Sequence, residues 1–235
     1  MLVHKPPHLS APFPCSYLPG RTAQFMQLYA EDVNGDELDF FLSAGWRKFG
    51  IYYFSPACAD CRECVPIRVS VRDYKPSHSQ RRITRKNRDL TVTFGPLRYS
   101  DRAFEIYREH SLNRFGRDVE REDFMNGFCV PSCPCLQSEY YLEDKLVAIG
   151  FIDRSENALS SVYFAYSTEY LRRGLGIFSV VREIDYAREL GLRHYYLGYW
   201  IKDNRSMAYK ASFRVNERMD WESARWRAGS ASSFP

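Results

Sequence analysis

Cys58, Cys61 and Cys64 stand at two-residue gaps, a spacing at which a tight turn points three sulfurs the same way. Thiolates so placed suit a zinc ion or an iron–sulfur cluster, with Cys15 as the candidate fourth ligand. The plainer alternative is a set of reduced cysteines that pack as small apolar side chains. Close behind lie Arg81, Arg82, Arg85, Lys86 and Arg88, five cations with no acid among them. On a helix, like charges one turn apart repel by roughly 0.2–0.5 kcal/mol per pair. Nothing nearby offsets that cost, so the tract favours an anionic partner over a merely solvated face. Tyr52, Tyr53 and Tyr74 offer flat rings on which an unpaired base can stack. A thiol knuckle beside a cationic segment thus points to a polyanion held next to an ordered loop.

A second anion-binding candidate is the turn Arg172-Arg173-Gly174-Leu175-Gly176. It precedes Ile177, Val180, Val181, Ile184, Ala187 and Leu190, which fall at helical spacing and end at Gly191. Exposed amides at such a helix start attract negative charge; the bland reading is that the glycines only let helix and sheet approach. The elements around this turn follow from period and turn chemistry. Strands are predicted at 46–54, 64–71 and 90–94, a helix from a Ser77 or Ser79 cap through the basic tract, and a helix from Ser100 to about Phe115. Residues 1–14 read as extended, 15–87 as short aromatic strands alternating with turns, and 116–138 as irregular. A hairpin about Glu143–Lys145, a strand at 159–166, a strand at 194–200 and a short helix at 204–211 complete the chain. The order β-β-β, glycine turn, α, β, α is that of the GNAT acyltransferase fold, an α/β (α+β) class.

Composition narrows the partners. With 45% hydrophobic and 16% aromatic residues among 235, the chain is a folded globular protein. A net charge of +4 is too mild for a uniform nucleic-acid coat, so polyanion contact must be local. No apolar run reaches the roughly 18 residues that span a bilayer. Seven cysteines, an odd and bunched set, with no signal-peptide pattern, point to a reducing cytoplasm. The expected organisation is an extended 1–14, an N-terminal domain at 15–98 with knuckle and basic tract, a GNAT-like domain at 99–228 and a tail at 229–235. The N-terminal part is compatible with a second, degenerate GNAT-like unit.

In sequence order, Cys15-Ser-Tyr-Leu-Pro19, the knuckle running into Val65-Pro-Ile-Arg68, Ser79-Gln-Arg-Arg82, Leu159-Ser-Ser-Val-Tyr163, Leu175-Gly176, Tyr196-Leu-Gly-Tyr-Trp-Ile201 and Met207-x-Tyr-Lys210 resemble the aminoacyl-tRNA–protein transferases. Within that family, the knuckle and Ser-Gln-Arg-Arg are similar to the bacterial aspartate/glutamate leucyltransferases. Two departures stand out: Gly174 replaces a usual serine, and no proline precedes Glu217.

The resemblance implies transfer of leucine from leucyl-tRNA to the α-amine of proteins beginning with Asp or Glu, which marks them for N-end rule degradation. It implies no cofactor for the chemistry itself. On that basis Tyr163 and Tyr199 are the candidates at the reacting centre, Arg47 and Arg68 for the acceptor's acidic side chain. Arg81, Arg82, Arg85, Lys86, Lys210, Gly174 and Gly176 are assigned to the tRNA. The rivals are an arginyl-tRNA donor, a coenzyme A-dependent N-acetyltransferase on the same fold, and a non-catalytic tRNA-binding module. Oligomeric state is not legible.

Overall fold

The computed structural model describes residues 1–229. The chain opens with strand β1 (Leu2–Leu9), the small hairpin β2 (Phe13–Pro14) and β3 (Thr22–Ala23), strand β4 (Phe25–Glu31) and helix α1 (Gly35–Ser43). Strands β5 (Arg47–Phe49), β6 (Tyr52–Pro56) and β7 (Val65–Ser70), helix α2 (His78–Lys86), strand β8 (Leu90–Gly95) and helix α3 (Asp101–Phe115) follow. After a short helix α4 (Arg121–Phe124) come β9 (Cys135–Leu142), β10 (Lys145–Arg154), β11 (Ala158–Tyr166), helix α5 (Leu175–Glu189) and β12 (His194–Trp200). The last described elements are α6 (Arg205–Ala208), β13 (Asn216–Asp220) and β14 (Arg225–Ala228).

A large mixed sheet runs β14-β13-β7-β12-β11-β10-β9-β8, and a smaller one runs β1-β4-β6-β5. Strands from both sides of residue 98 therefore share the large sheet. Only β11 and β12 pair in parallel there, and α5 is the crossover such a pair requires. This is the GNAT-like core. Helix α5 lays Val180, Val181, Ile184 and Ala187 against Ile67, Val69, Tyr195 and Leu197. A separate cluster joins Leu38, Phe41 and Tyr53 of the small-sheet region to Ala158 and Tyr196. Each Val, Leu, Ile and Phe among them contributes about 1.5–3 kcal/mol by leaving water. The two clusters hold the small sheet and the crossover helix in fixed relation to β11 and β12.

Three sequence expectations need correction. The aromatic N-terminal third is not only strands and turns, because α1 lies within it, and its signal is a capping box in which Asn34 and Glu37 bond each other's backbone at 2.9 Å. The segment 116–138 is not irregular throughout: helical turns run from Arg121 to Cys129, and β9 begins at Cys135. Buried Gln137, Ser138 and Glu139 hide that strand's apolar alternation. Residues 2–9, read as merely extended, pair antiparallel with β4.

Candidate active site at the strand fork

The site is built where β11 and β12 part. Their parallel register covers only Ala158, Leu159 and Ser160 against His194, Tyr195 and Tyr196. Beyond it β11 follows β10 while β12 follows β7, so a wedge opens between them. Arg47, carried on β5, enters this wedge. Its guanidinium donates to Ser160 Oγ at 2.5 Å and to the Ser161 carbonyl. Gly198 on the facing strand has φ +87°, and a Cβ there would stand 3.6 Å from Arg47 Nε and 3.5 Å from Lys210 Nζ. Glycine is favoured by the left-handed backbone conformation, while a Cβ would sit in ordinary contact with the two cations.

Lys210 donates to the Tyr199 carbonyl at 3.0 Å. It keeps some surface open to solvent, yet dense surroundings pull its ammonium down to about 7, with Arg47 adding to the effect. Burial likewise lowers the Arg47 guanidinium. No carboxylate pairs with either cation among the described residues; their hydrogen-bond acceptors are neutral oxygens. Asp153, which pairs with Lys48 at 2.9 Å, favours the charged Arg47 from nearby, but no carboxylate bonds either cation, and cations held this way favour an anionic ligand.

Tyr163 lines the β11 side. It is half-buried, its hydroxyl lies 3.3 Å from His110 Nδ1, and burial raises its pKa. His110 is pushed down to about 4 by burial and by Arg114, so its ring is neutral at pH 7. Tyr199 is placed differently: it is buried and its hydroxyl donates to the Gly45 carbonyl at 2.8 Å. Arg68 is engaged too, bonded to Glu217 at 2.6 Å and to the Tyr196 hydroxyl at 3.1 Å, with its guanidinium 4.3 Å from the Trp226 ring centre.

Helix α2 carries the basic tract on its outer side, with Arg81, Arg82, Arg85 and Lys86 all exposed. Ser77 caps it, and Gln80 closes the capping box by accepting from the Ser77 amide at 2.8 Å. The inner side leads toward the fork. Gln80 reaches the Ser212 carbonyl at 3.5 Å, two residues from Lys210. Ile83 packs on the Gly174 turn, while Lys86 and Asn87 donate to the carbonyls of Arg172 and Arg173 at 2.6 and 3.0 Å. Gly174 has φ +71° and a left-handed backbone, and Gly176, the second residue of α5, has open space where a Cβ would be.

Comparison with known proteins now bears on this geometry. Residues 13–82 match the family described as arginine-tRNA-protein transferase, N terminus, and residues 102–220 its C-terminal counterpart. An aspartate/glutamate leucyltransferase of Chromobacterium violaceum is 30% identical over 225 residues, covering 94% of this chain and 92% of that protein. Those of Marinobacter nauticus and Halorhodospira halophila are 34% and 35% identical, over 92% and 91% of this chain and 92% and 93% of theirs. The chain belongs to the aspartate/glutamate leucyltransferase family. Among solved structures, FemX aligns at TM-score 0.49 and 12% identity, over 80% of this chain and 67% of its own, a likeness too loose to argue from.

In this leucyltransferase-family chain the cysteine knuckle sits against the fork. Burial and the neighbouring Cys15, Cys58 and Cys61 push the Cys64 thiol up to about 12, so the four sulfurs share one neighbourhood. Tyr17 lies among Cys64, Cys15 and Arg47, which ties that neighbourhood to the fork. The sulfurs do not, however, meet as a ligand set. Among the described residues no group of three or more His, Cys, Asp or Glu side chains could hold a metal ion. The zinc or iron–sulfur expectation for Cys15, Cys58, Cys61 and Cys64 is therefore not supported by this geometry. Instead Arg62 folds over the knuckle and donates to the carbonyls of Cys58 and Cys61, closing the turn with protein groups. Among the described residues no helix is long and apolar enough to cross a membrane.

Sequence reasoning missed Glu183, His110 and Ser161. Glu183 had a readable signal, being a carboxylate at the same helical spacing as the buried residues Val180, Ile184 and Ala187. Ser161 stood within the Leu159–Tyr163 motif with no role read for it, and His110 had no signal, because its place depends on what the fold sets beside it.

Proposed function

We propose that this chain transfers leucine from leucyl-tRNA to the α-amine of proteins that begin with Asp or Glu. The observation that carries the reading is the fork itself, where Arg47 and Lys210 meet with neutral acceptors only. The acceptor's side-chain carboxylate supplies the missing anion, and Arg47 gives it the firmer, two-pronged hold. The exposed cations of α2 grip the acceptor arm of the tRNA, and the contact from Gln80 to Ser212 links that grip to the fork.

The chemistry asks little of a base. The α-amine has an ordinary pKa of about 7.7–8.0, so a useful fraction is neutral at pH 7. The ester is already activated. What the protein supplies is alignment of amine and ester, worth several orders of magnitude, and a donor for the oxyanion and the leaving ribose oxygen. Tyr163, half-exposed and held by neutral His110, takes the donor role. Tyr199 shapes the fork through its carbonyl bond to Lys210, and Arg68 braces the sheet.

One observation bears on a second reading: the matched family descriptions name arginine rather than leucine as the transferred residue. A coenzyme A-dependent acetyltransferase is the weaker reading because Ile83 and Lys86 of α2 already contact the Gly174 turn, where pyrophosphate would have to dock. One assay tests all of these: labelled leucyl-tRNA, arginyl-tRNA and acetyl-coenzyme A are each offered with peptides starting with Asp, Glu or Ala. Label is expected only from leucyl-tRNA and only on the acidic peptides. Equal labelling of the Ala peptide, or label from acetyl-coenzyme A, refutes the proposal.

A further inference from the structure

Two arginines on neighbouring strands of the large sheet lie against tryptophans, one on each face. Arg68 on β7 lies over Trp226 and is neutralised by Glu217. Arg218 on β13 has its guanidinium 3.8 Å from the Trp200 ring centre, and its Nε is buried without a hydrogen-bond partner. No carboxylate pairs with it among the described residues, and burial lowers the guanidinium with no neighbouring charge to offset that. Arg218 and Trp200 each keep part of their surface in solvent. Register sets this pair on the face that carries the fork. Ile67 stands opposite both Gly198 and Arg218, so the three form one row across β12, β7 and β13, which Arg227 on β14 continues. Directly opposed residues share a face, and Gly198 is the residue above which Arg47 and Lys210 meet. Two strand spacings put the Arg218 backbone about 10 Å from that of Gly198. Trp200 is two residues beyond Gly198 and directly follows Tyr199, whose carbonyl takes Lys210. The segment after Lys210 joins the pair to α2: Asn216 donates to the Ala211 and Phe213 carbonyls at 3.1 and 2.9 Å, and Gln80 to that of Ser212 at 3.5 Å.

We propose that Arg218 and Trp200 receive the single-stranded 3′ end of the aminoacyl-tRNA, with a base of that end stacked on the guanidinium–indole pair while the ester lies in the fork. This deepens the leucyl-tRNA reading above and rests on it. Unpaired bases stack on tryptophan rings and on guanidinium planes whatever their sequence. The unpaired guanidinium also has donors for the phosphate beside that base. Charge along this face of the β13–β14 hairpin agrees. Arg218 stands opposite Arg227 and Asp220 opposite Arg225, three cations to one acid, and Asp220 lies 3.7 Å from Arg227. The exposed cations of α2 then hold the paired part of the acceptor arm, and Arg218 its loose end. Arg68, already neutralised on the opposite face, has no such role.

The test measures binding of the full chain, by filter retention, to a leucine tRNA with its 3′ end intact and to the same tRNA trimmed of its unpaired 3′ nucleotides. Wild type is expected to hold the intact RNA about tenfold more tightly, within what stacking of one base contributes. Arg218→Met keeps an apolar side chain against Trp200 without the plane or the charge. It should weaken intact tRNA only and bring the ratio within about twofold. Arg218→Lys keeps the charge but not the plane and should recover little of the ratio. Replacing Arg81 and Arg82 by alanine should instead weaken both RNAs alike. A merely structural role for Arg218 would move both affinities together or neither, and a ratio that survives Arg218→Met overturns the proposal. So does an unchanged ratio accompanied by a raised KM for peptides with acidic residues beyond the first, which would make the pair an acceptor-protein site. If thermal melting shows that Arg218→Met has not folded, Arg218→Lys decides alone. A wild-type chain that binds neither RNA overturns the tRNA reading and this proposal with it, whereas equal binding of both RNAs overturns this proposal only.

Discussion

Arg47 and Arg68 look alike in the sequence, two cations on either side of the cysteine knuckle, yet the fold uses them oppositely. Arg68 is matched: Glu217 neutralises it, and Tyr196 and Trp226 cover its faces. Arg47 is bonded only to neutral oxygens and has a second cation, Lys210, beside the same face of Gly198. A paired guanidinium braces the sheet that carries it, while an unpaired one is an invitation to an anion. Charge can be counted in a sequence, but whether it is already cancelled depends on which strands become neighbours.

Removing the unpaired cation should break the comparison most visibly. Arg47→Ala is expected to lower kcat/KM for Asp- and Glu-starting peptides about 100-fold, in line with the roughly 2–3 kcal/mol of a charge-assisted hydrogen bond to a desolvated partner. Binding of leucyl-tRNA, measured by filter retention, should hold. Arg47→Lys keeps the charge but not the two-pronged geometry and should recover only part of the loss. If tRNA binding and peptide use fall together, the fork does not divide the work as proposed.

The exposed cations of α2 form a third case, neither paired nor buried. Replacing Arg81 and Arg82 by alanine should weaken tRNA binding about tenfold at physiological salt. The slope of log K against log salt should flatten by roughly 1.5, since fewer counterions are released. An unchanged slope would remove α2 from the interface. Peptide KM at saturating tRNA should not move.

These contrasts also mark what was legible. Helix α5 was readable because Val180, Val181, Ile184 and Ala187 repeat at helical spacing and glycines bracket them. Helix α2 was readable from a serine three residues before a glutamine. Helix α1 carried an equally clear capping box at Asn34 and Glu37, hidden by the surrounding aromatic residues, which favour strands. The fork was not readable at all. It arises because β11 and β12 share a register of only three residues before each follows a different neighbour, a property of sheet order. Lys210 illustrates the consequence: the Met207-x-Tyr-Lys210 resemblance assigns it to the tRNA, and only the fold sets it beside Arg47.

Lys210 therefore sharpens the comparison through pH. With its ammonium pulled down to about 7, it is charged below that pH and neutral above it. An acceptor carboxylate beside it favours the charged form, so binding takes up a proton and weakens as pH rises through 7. An N-acetylated Asp peptide, which has no titrating amine, should bind about three- to tenfold more tightly at pH 6 than at pH 8, as read by calorimetry. Lys210→Gln should flatten that dependence. A flat wild-type curve would mean that the anion reaches Arg47 alone.

The smallest effect on activity belongs to Arg68, and that is what makes it informative. Its side chain and that of Glu217 are 14% and 31% exposed, so solvent screens the pair in part. The pair and the contact with Trp226 together should contribute about 1–2 kcal/mol. Arg68→Met is expected to lower the melting temperature by a few degrees, and Glu217→Gln by a similar amount. The double variant should fall short of the sum of the two, because each single change already removes the same bond. Transfer to Asp- and Glu-starting peptides should stay within about twofold of wild type. A large loss of transfer in Arg68→Met with no change in melting would reverse the assignment, making Arg68 the acceptor's clamp and Glu217 the group it releases when the acceptor arrives.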